Sequence, residues 1–337
     1  MPDDARRSFA APPAEDVPPG PRPSFSVVLS AWNAADLVGT AVASVVAQTE
    51  PPLELVVVDD GSTDDLEAAL APWADRLRLI REPHRGLAAA RNTSAAAVSG
   101  DFVAIIDADD RWEPERLARL GDLAAARPDL DLLTTDAWFL VDGQRQGRFY
   151  EANTFPTEDQ AVAILERNFF FAHVAVRRSA WERAGGMAVE VAWAEDWEFW
   201  LRLLRSGSRA GCVLEPLADY RIHAGSVSAD RWPSLQARVE VLDRAERAGG
   251  LDEQEQRVLA AARAHYARRA AQARAEQSLL RRSPDRRRAS LAVARLPGTS
   301  VRRRAVAVGA ALLPGLAGTW LRRASTTRGR ARTDRAI

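Results

Sequence analysis

Three carboxylates crowd the end of one short apolar segment of the chain. Residues 102–106 read Phe-Val-Ala-Ile-Ile, which is typical of a buried strand, and Asp107, Asp109 and Asp110 follow. Carboxylates about 4 Å apart repel each other by roughly 1 kcal/mol in water, and by more when partly buried, so we expect a cation among them. Oxygen ligands suit Mg2+ or Mn2+. We therefore predict a divalent cation bound by Asp109, whereas Asp110 also fits a turn or a helix N-cap.

The elements that must position this cluster alternate between strands and helices. Apolar runs at 26–29, 53–58, 77–80 and 102–106 predict four strands, with helical patterns between them. Such alternation indicates a mostly parallel sheet with right-handed crossovers, so the predicted fold class is doubly wound α/β. Ligands in these folds bind beyond the carboxyl ends of the strands, and the three aspartates lie at that edge.

The pattern is less regular beyond residue 113. It predicts strands at 130–135 and 169–176 and a short helix at 178–184, which a glycine pair ends. Residues 137–160 are polar and aromatic without a period. We expect them to form a loop over one side of the site.

The charge of the chain is unevenly distributed. The net charge of the 337 residues is zero, but residues 231–337 contain 24 Arg against 9 Asp and Glu, so residues 1–230 are acidic. Residues 1–23 are rich in Pro and charge and lack the apolar segment of a signal peptide, and we expect them to be disordered. A single cysteine, Cys212, excludes an internal disulfide and fits a reducing compartment. We predict a main domain over 24–230 and a basic helical extension over 231–337.

The extension combines two predicted helices with one apolar run. The helices are expected at 233–248 and 252–280, separated by glycines 249 and 250 and with Asp252 as the second N-cap. Residues 305–321 are apolar but short and interrupted by Pro and Gly, so they do not predict a membrane-spanning helix. Two interpretations stay open, an interfacial segment on an anionic membrane or a helical hairpin packed on the main domain.

Location and nucleic-acid binding follow from the same features. No aromatic interleaving or groove-reading motif accompanies the arginines, so we expect no nucleic-acid partner. The predicted location is the cytoplasm, with or without peripheral attachment to the inner face of the cell membrane.

Six short motifs occur in order along residues 24–230. They are Ser-Val-Val-Leu-Ser-Ala-Trp-Asn at 26–33, Val-Asp-Asp-Gly-Ser at 58–62, the segment from Gly86 to Ala90-Arg91-Asn92, Asp-Ala-Asp-Asp at 107–110, Glu195-Asp196, and Tyr-Arg-Ile-His at 220–223. Their order resembles that of the family 2 glycosyltransferases. The resemblance implies the GT-A fold, a nucleoside-diphosphate sugar donor, and inverting transfer to a hydroxyl of a glycan or lipid-linked acceptor in surface polysaccharide biosynthesis. Ser30 stands where the family usually has Pro, and Trp32 where it usually has Tyr.

The resemblance also implies roles on the donor side. Asp60 would accept hydrogen bonds from a nucleobase, and Trp32 would stack on that base unless it packs against the sheet instead. Arg91 would contact the diphosphate with bidentate geometry, although an arginine on an α/β surface is more often solvated. Asp107 would meet either the ribose or the metal.

The metal and the acceptor side complete the implied site. A metal held by Asp109 and completed by His223 would neutralise the leaving diphosphate, although His223 also fits a hydrogen-bonded loop histidine. An inverting transfer needs a base for the acceptor hydroxyl, and the motif position singles out Asp196. Glu195 and His173 are weaker candidates for the acceptor side, because Glu195 fits a helix start and His173 fits a core histidine.

Two alternative functions remain at this point. A sugar-phosphate nucleotidyltransferase shares a nucleotide-binding α/β half, but it predicts a glycine-rich phosphate loop near the N-terminus that residues 26–45 lack. The other alternative is a non-catalytic scaffold that binds nucleotide or glycan. Loss of activity with retained donor binding in an Asp196→Asn variant would separate the enzyme from the scaffold.

Overall fold

The chain divides into two compact units, Met1–Ala224 and Gly225–Ile337, close to the predicted boundary after residue 230. The computed structural model describes residues 9–11, 20–222, 231–281, 283–296 and 300–319. His223, predicted to complete the metal shell, lies outside the described residues.

The first unit is built around one mixed sheet. Within the described residues the sheet has ten strands, and eight of them follow the order β1-β10-β7-β9-β5-β2-β3-β4, with β6 against β10 and β8 against β7. The strands are β1 Phe9–Ala10, β2 Phe25–Ala31, β3 Glu54–Asp60, β4 Arg78–Glu82, β5 Phe102–Asp107, β6 Arg111–Trp112, β7 Leu132–Val141, β8 Gln144–Arg148, β9 Ala175–Arg177 and β10 Ala210–Ile222.

Helices flank the sheet and carry the rest of the site. Those of the first unit are α1 Ala35–Val46, α2 Leu66–Leu70, α3 Leu87–Ala96, α4 Arg116–Ala126, α5 Phe149–Ala152, α6 Gln160–Glu166, α7 Arg178–Arg183 and α8 Glu195–Arg205. The second unit contains α9 Arg231–Ala248, α10 Glu253–Leu280, α11 Arg286–Arg295 and α12 Val301–Leu312.

The four strands predicted in the first half are present and pair in parallel. β5 lies beside β2, β2 beside β3, and β3 beside β4, each in parallel register. The apolar residues of β2, β3 and β5 are buried because helices cover the sheet, and α1 contributes Val38, Val42 and Val45 to the same core. The carboxyl ends of these strands therefore meet at one edge, where Asp60 and Asp107 end β3 and β5.

The second half of the unit differs from the sequence prediction in three places. Residues 137–160 are not a single loop, because β7 continues to Val141 and turns back through β8, and α5 follows. The strand predicted at 169–176 is reduced to β9, which runs antiparallel to β5 and β7. β10 was not predicted, and the segment expected to be disordered contributes β1, which pairs with β10.

The second unit is helical, as predicted. Asp252 caps α10 by accepting a hydrogen bond from the backbone N–H of Glu255 at 2.8 Å. Gly249 and Gly250 have positive φ, which ends α9. Within the part of the chain that is described, no helix is both long and apolar enough to cross a membrane.

Candidate active site

The predicted acidic cluster lies at the end of β5 and contains side chains with different exposures. The Asp107 side chain is 26% exposed, whereas that of Asp110 is completely buried. Asp109 is partly exposed between them. Burial raises the pKa of Asp110 well above its ordinary value, and the nearby charges of Asp109 and Asp107 add to this effect. The three carboxyl groups are therefore close together, and two of them are open to a ligand.

Asp110 has a partner that the sequence did not predict. Its Oδ2 lies 2.8 Å from Nε2 of His173, whose Nδ1 accepts a hydrogen bond from Nε1 of Trp112 at 3.0 Å. The indole donates to Nδ1, so the proton of a neutral His173 sits on Nε2, the nitrogen nearest to Asp110. Burial, followed by the charges of Arg116 and Arg91, lowers the pKa of His173 well below its ordinary value. His173 thus lies in the core beneath the acidic edge.

The acidic edge has the chemistry of a divalent cation site. Among the described residues, one ligand atom each from Asp107, Asp110 and His173 fall within 4.8 Å of one another. Oδ2 of Asp110 is buried and has no well-aligned hydrogen bond, despite its short contact with His173. A cation that also contacts a ligand's phosphates needs accessible oxygens, which Asp107 and Asp109 provide. The residues present therefore fit a metal at this edge, and Asp110 with His173 supports them from below.

Arg91 connects the acidic edge with a second group of acids. Its Nη2 donates to Oδ1 of Asp107 at 2.7 Å, and its Nη1 donates to Oε1 of Glu195 at 3.1 Å. The Arg91 side chain is only 6% exposed. Burial lowers the pKa of Arg91, but the charges of Asp107, Glu195 and Asp196 outweigh it, so the net shift is upward. The last residue of β5 and the first residue of α8 are thus both paired with the buried guanidinium of Arg91.

Glu195 and Asp196 begin α8, and their surroundings differ. Glu195 is buried, and desolvation raises its pKa to about 7 although Arg91 opposes this rise. Asp196 is partly exposed; its Oδ2 accepts a hydrogen bond from Nδ2 of Asn168 at 3.2 Å. Its Oδ1 accepts one from the backbone N–H of Trp197 at 2.7 Å. Asp196 is therefore held at a helix N-terminus with one face open, as a carboxylate that accepts a proton must be.

The segment that precedes α8 is also hydrogen-bonded to α3, near Met187. Asn92, next to Arg91 on α3, donates from Nδ2 to the carbonyl of Met187 at 2.8 Å and accepts from its N–H at 2.8 Å. Arg202 of α8 donates to the carbonyls of Ala184 and Gly186. Gly186 has φ +78°, and a Cβ there would lie 2.7 Å from Oδ1 of Asn92, so only glycine fits this close approach.

Asp60, at the end of β3, orders the turn that follows β4. Its Oδ1 accepts from the backbone N–H of Arg85 at 2.7 Å and its Oδ2 from that of Gly86 at 2.9 Å. Gly61 has φ +73°, and a Cβ there would lie 2.6 Å from the backbone nitrogen of His84. Asp59 instead accepts from the N–H of Ser62 at 2.8 Å, which stabilises the turn after β3. Asp60 thus fixes the turn that leads into α3.

Trp32 presents an aromatic face beside this turn. It is 54% exposed, so it is not packed in the core. The ring of His84 stacks on it with centroids 4.5 Å apart and an angle of 22° between the planes. Nδ1 of His84 lies 2.9 Å from Oδ2 of Asp60. Sequence reasoning missed His84, although it directly precedes the Arg-Gly start of the third motif.

The structure thus brings most of the predicted residues to one edge of the sheet. Arg91 connects Asp107 with Glu195, the neighbour of Asp196, and Asp109 lies two residues beyond Asp107. Trp32 and Asp60 lie at the ends of the two neighbouring strands.

A family comparison identifies this arrangement. The model of glycosyl transferase family 2 matches residues 26–185. This segment of the chain belongs to that family. It contains nearly all of the residues from β2 to β9 and the acidic edge. The match supports the transferase over the nucleotidyltransferase alternative.

Individual relatives agree with this assignment. The chain is 32% identical over 223 residues to the succinoglycan biosynthesis protein ExoO of Rhizobium meliloti, covering 61% of this chain and 63% of that protein. It is 26% identical over 229 residues to the UDP-Glc:alpha-D-GlcNAc-diphosphoundecaprenol beta-1,3-glucosyltransferase WfaP of Escherichia coli, covering 64% and 84%. The mannosyltransferase PcManGT of Pyrobaculum calidifontis, solved with GDP-Man and Mn2+, superposes with a TM-score of 0.59 at 24% identity over 98% of this chain and 93% of that one. The predicted GT-A fold is confirmed.

Proposed function

We propose that this family 2 glycosyltransferase is a metal-dependent, inverting enzyme that transfers a sugar from a nucleoside diphosphate to a hydroxyl acceptor in surface polysaccharide biosynthesis. The observation that carries the proposal is the Arg91 bridge. It joins Asp107, at the edge suited to a metal, to Glu195, the immediate neighbour of Asp196. The proposed donor and acceptor groups are therefore connected through one side chain.

On the donor side, each group has an accessible surface for one part of the nucleotide. The exposed face of Trp32 stacks on the base, and the turn that Asp60 orders lies beside it. Asp107 and Asp109 would hold Mg2+ or Mn2+, which neutralises charge on the leaving diphosphate. Support for Mn2+ comes from the related mannosyltransferase, which was solved with that ion and GDP-Man.

Arg91 acts on the donor through Asp107 in this proposal. Its guanidinium is buried and donates to two carboxylates, so the diphosphate contact implied by the family resemblance would require these ion pairs to open. Holding Asp107 in place for the ribose or the metal uses the geometry as it stands.

On the acceptor side, Asp196 takes the proton of the attacking hydroxyl. Its hydrogen bonds from Asn168 and the backbone of Trp197 fix the carboxylate while leaving it partly exposed. A positioned base of this kind contributes about 10²- to 10⁴-fold to the rate. Glu195 is buried and paired with Arg91, so its role in this proposal is to position its neighbour Asp196 and not to contact the acceptor.

The acceptor class is proposed from the relatives. WfaP is named for a diphosphoundecaprenol-linked acceptor and ExoO for succinoglycan biosynthesis, so we assign a glycan or lipid-linked hydroxyl to this chain as well. A lipid-linked acceptor resides at a membrane, and we propose that the basic extension brings the enzyme to an anionic, cytoplasmic membrane surface.

The decisive experiment compares two isosteric changes. We expect Asp196→Asn to lower sugar transfer, or donor hydrolysis, by at least about 100-fold while nucleotide binding, measured by calorimetry with Mn2+, is retained. Asp142→Asn is the matched control, because Asp142 is exposed at the tip of the β7–β8 hairpin. Unchanged turnover in the Asp196 variant would remove Asp196 from the mechanism. Nucleotide binding without turnover in the wild-type protein, across donors and acceptors, would favour the scaffold.

A further inference from the structure

The second unit displays a large apolar surface on α12. Val301, Val308 and Leu312 follow one another at helical spacing and are all exposed, and Leu312 is 68% exposed. Leu316, four residues beyond the end of α12, is also 68% exposed. We call Val301, Val308, Leu312 and Leu316 the α12 apolar face.

The other side of α12 accounts for its packing within the unit. Ala307 and Ala311 are buried there, and Ala307 forms a small core with Ala275, Ala289 and Val293. Large apolar residues thus point outward while alanines point inward. A helix that only packs against its own domain places its large apolar residues on the inner side, and α12 does not.

Exposed arginines lie on α12 itself and on the neighbouring helix α11. Arg303 and Arg304 are exposed on α12, as are Arg287, Arg288 and Arg295 on α11. Residues 286–319 contain no Asp or Glu. The surface therefore combines exposed leucine and valine with an excess of positive charge.

We propose that the α12 apolar face docks in the plane of an anionic phospholipid bilayer. The leucines and valines enter the boundary between head groups and acyl chains while the arginines pair with lipid phosphates. A second copy of the chain is a poorer occupant, because a two-fold contact would bring the arginine clusters together. A nucleic acid would use the arginines but leave the leucines in water. This proposal names the surface behind the membrane attachment in the proposed function, and its test needs no turnover.

The test is sedimentation of the full chain with vesicles. We expect binding to vesicles of phosphatidylcholine and phosphatidylglycerol, and much weaker binding to phosphatidylcholine alone. Leu312→Gln with Leu316→Gln should weaken binding by at least about ten-fold, since each leucine loses its burial in the bilayer. Arg303→Gln and Arg304→Gln should each weaken it by about five-fold, with less effect at high salt.

Leu53→Gln is the matched control, because Leu53 is 59% exposed but lies just before β3 in the first unit. It should leave vesicle binding unchanged. Equal binding by the wild type and the double leucine variant would overturn the proposal. So would a leucine-dependent dimer, seen by light scattering, in a chain that does not bind vesicles. Transfer to a water-soluble acceptor should be the same in the leucine variant as in the wild type, so failure of this proposal is distinguishable from failure of the catalytic one.

Discussion

Replacing Arg91 with Met tests the connection between the donor and acceptor groups. The change keeps an apolar side chain of similar length but removes the hydrogen bonds to Asp107 and Glu195. The side chains of Arg91 and Glu195 are almost fully buried, whereas that of Asp107 is one-quarter exposed. Removing one partner of a buried ion pair costs about 3–5 kcal/mol, because the other charge stays behind.

The structure places the expected loss at the lower end of this range. The pKa of Glu195 is already raised from 4.5 to about 7, so without Arg91 this carboxyl takes up a proton at little further cost at neutral pH. The loss is then shared between Glu195, which must take up a proton, and Asp107, which water partly solvates. We expect Arg91→Met to lower the free energy of unfolding by about 3 kcal/mol at about pH 7.5.

Urea unfolding followed by tryptophan fluorescence measures this loss in a double-mutant cycle with Glu195→Gln. In the Glu195→Gln background only the pair with Asp107 remains, so Arg91→Met should cost about 1–2 kcal/mol there. The loss in the wild-type background should also be smaller at about pH 5.5, where Glu195 is protonated. A loss below about 1 kcal/mol, or an equal loss in both backgrounds, would refute the proposed bridge.

Three further predictions concern single residues. The folded-state pKa of Glu195 lies above its ordinary value, because burial disfavours the ionised carboxylate. The wild type should therefore lose about 3 kcal/mol of unfolding free energy from this group as the pH rises from about 4.5 to about 7. Glu195→Gln should flatten this part of the pH profile, measured by urea unfolding. Trp32→Ala should weaken nucleoside-diphosphate binding in calorimetry by about ten-fold and leave the melting temperature unchanged, because the ring is more than half exposed. Asp109→Asn should remove the Mn2+-dependent part of the thermal shift that nucleoside diphosphate produces. A ligand at 100 times its dissociation constant stabilises the folded protein by about 2.7 kcal/mol, so the loss is measurable. An undiminished shift would exclude Asp109 as a metal ligand.

The first half of the fold was predictable from the sequence because β2, β3 and β5 are apolar and buried on both faces. The run at 26–29 lies within β2, and the run at 102–106 lies within β5. β10 was missed because Glu215 and Pro216 interrupt its apolar pattern, and the structure accommodates them through shifts in register against β7. The β7–β8 hairpin had a readable signal in Asp142-Gly143, both with positive φ, which its aromatic flanks obscured.

The candidate site also contains one part that was predictable from the sequence and one part that was not. Motif residues at strand ends were found because a parallel sheet brings those ends together. The bridge from Arg91 to Glu195 joins residues 104 positions apart, and the contact of Asp110 with His173 depends on how β9 inserts beside β5. One sequence carries no pattern for such pairings, because each depends on packing between elements rather than on local spacing.

The hydrogen bonds that α3 makes to Met187 and Glu195 hold both ends of one short segment. Asn92 holds the chain at Met187, and its neighbour Arg91 holds it at Glu195, so one turn of a single helix secures both ends of residues 188–194. This stretch carries Trp193, which is exposed and has φ +73°. Because both ends are held by α3, changes within this segment need not displace Arg91 or the start of α8. We therefore expect exchanges at residues 188–194 to alter acceptor preference while nucleotide binding is retained.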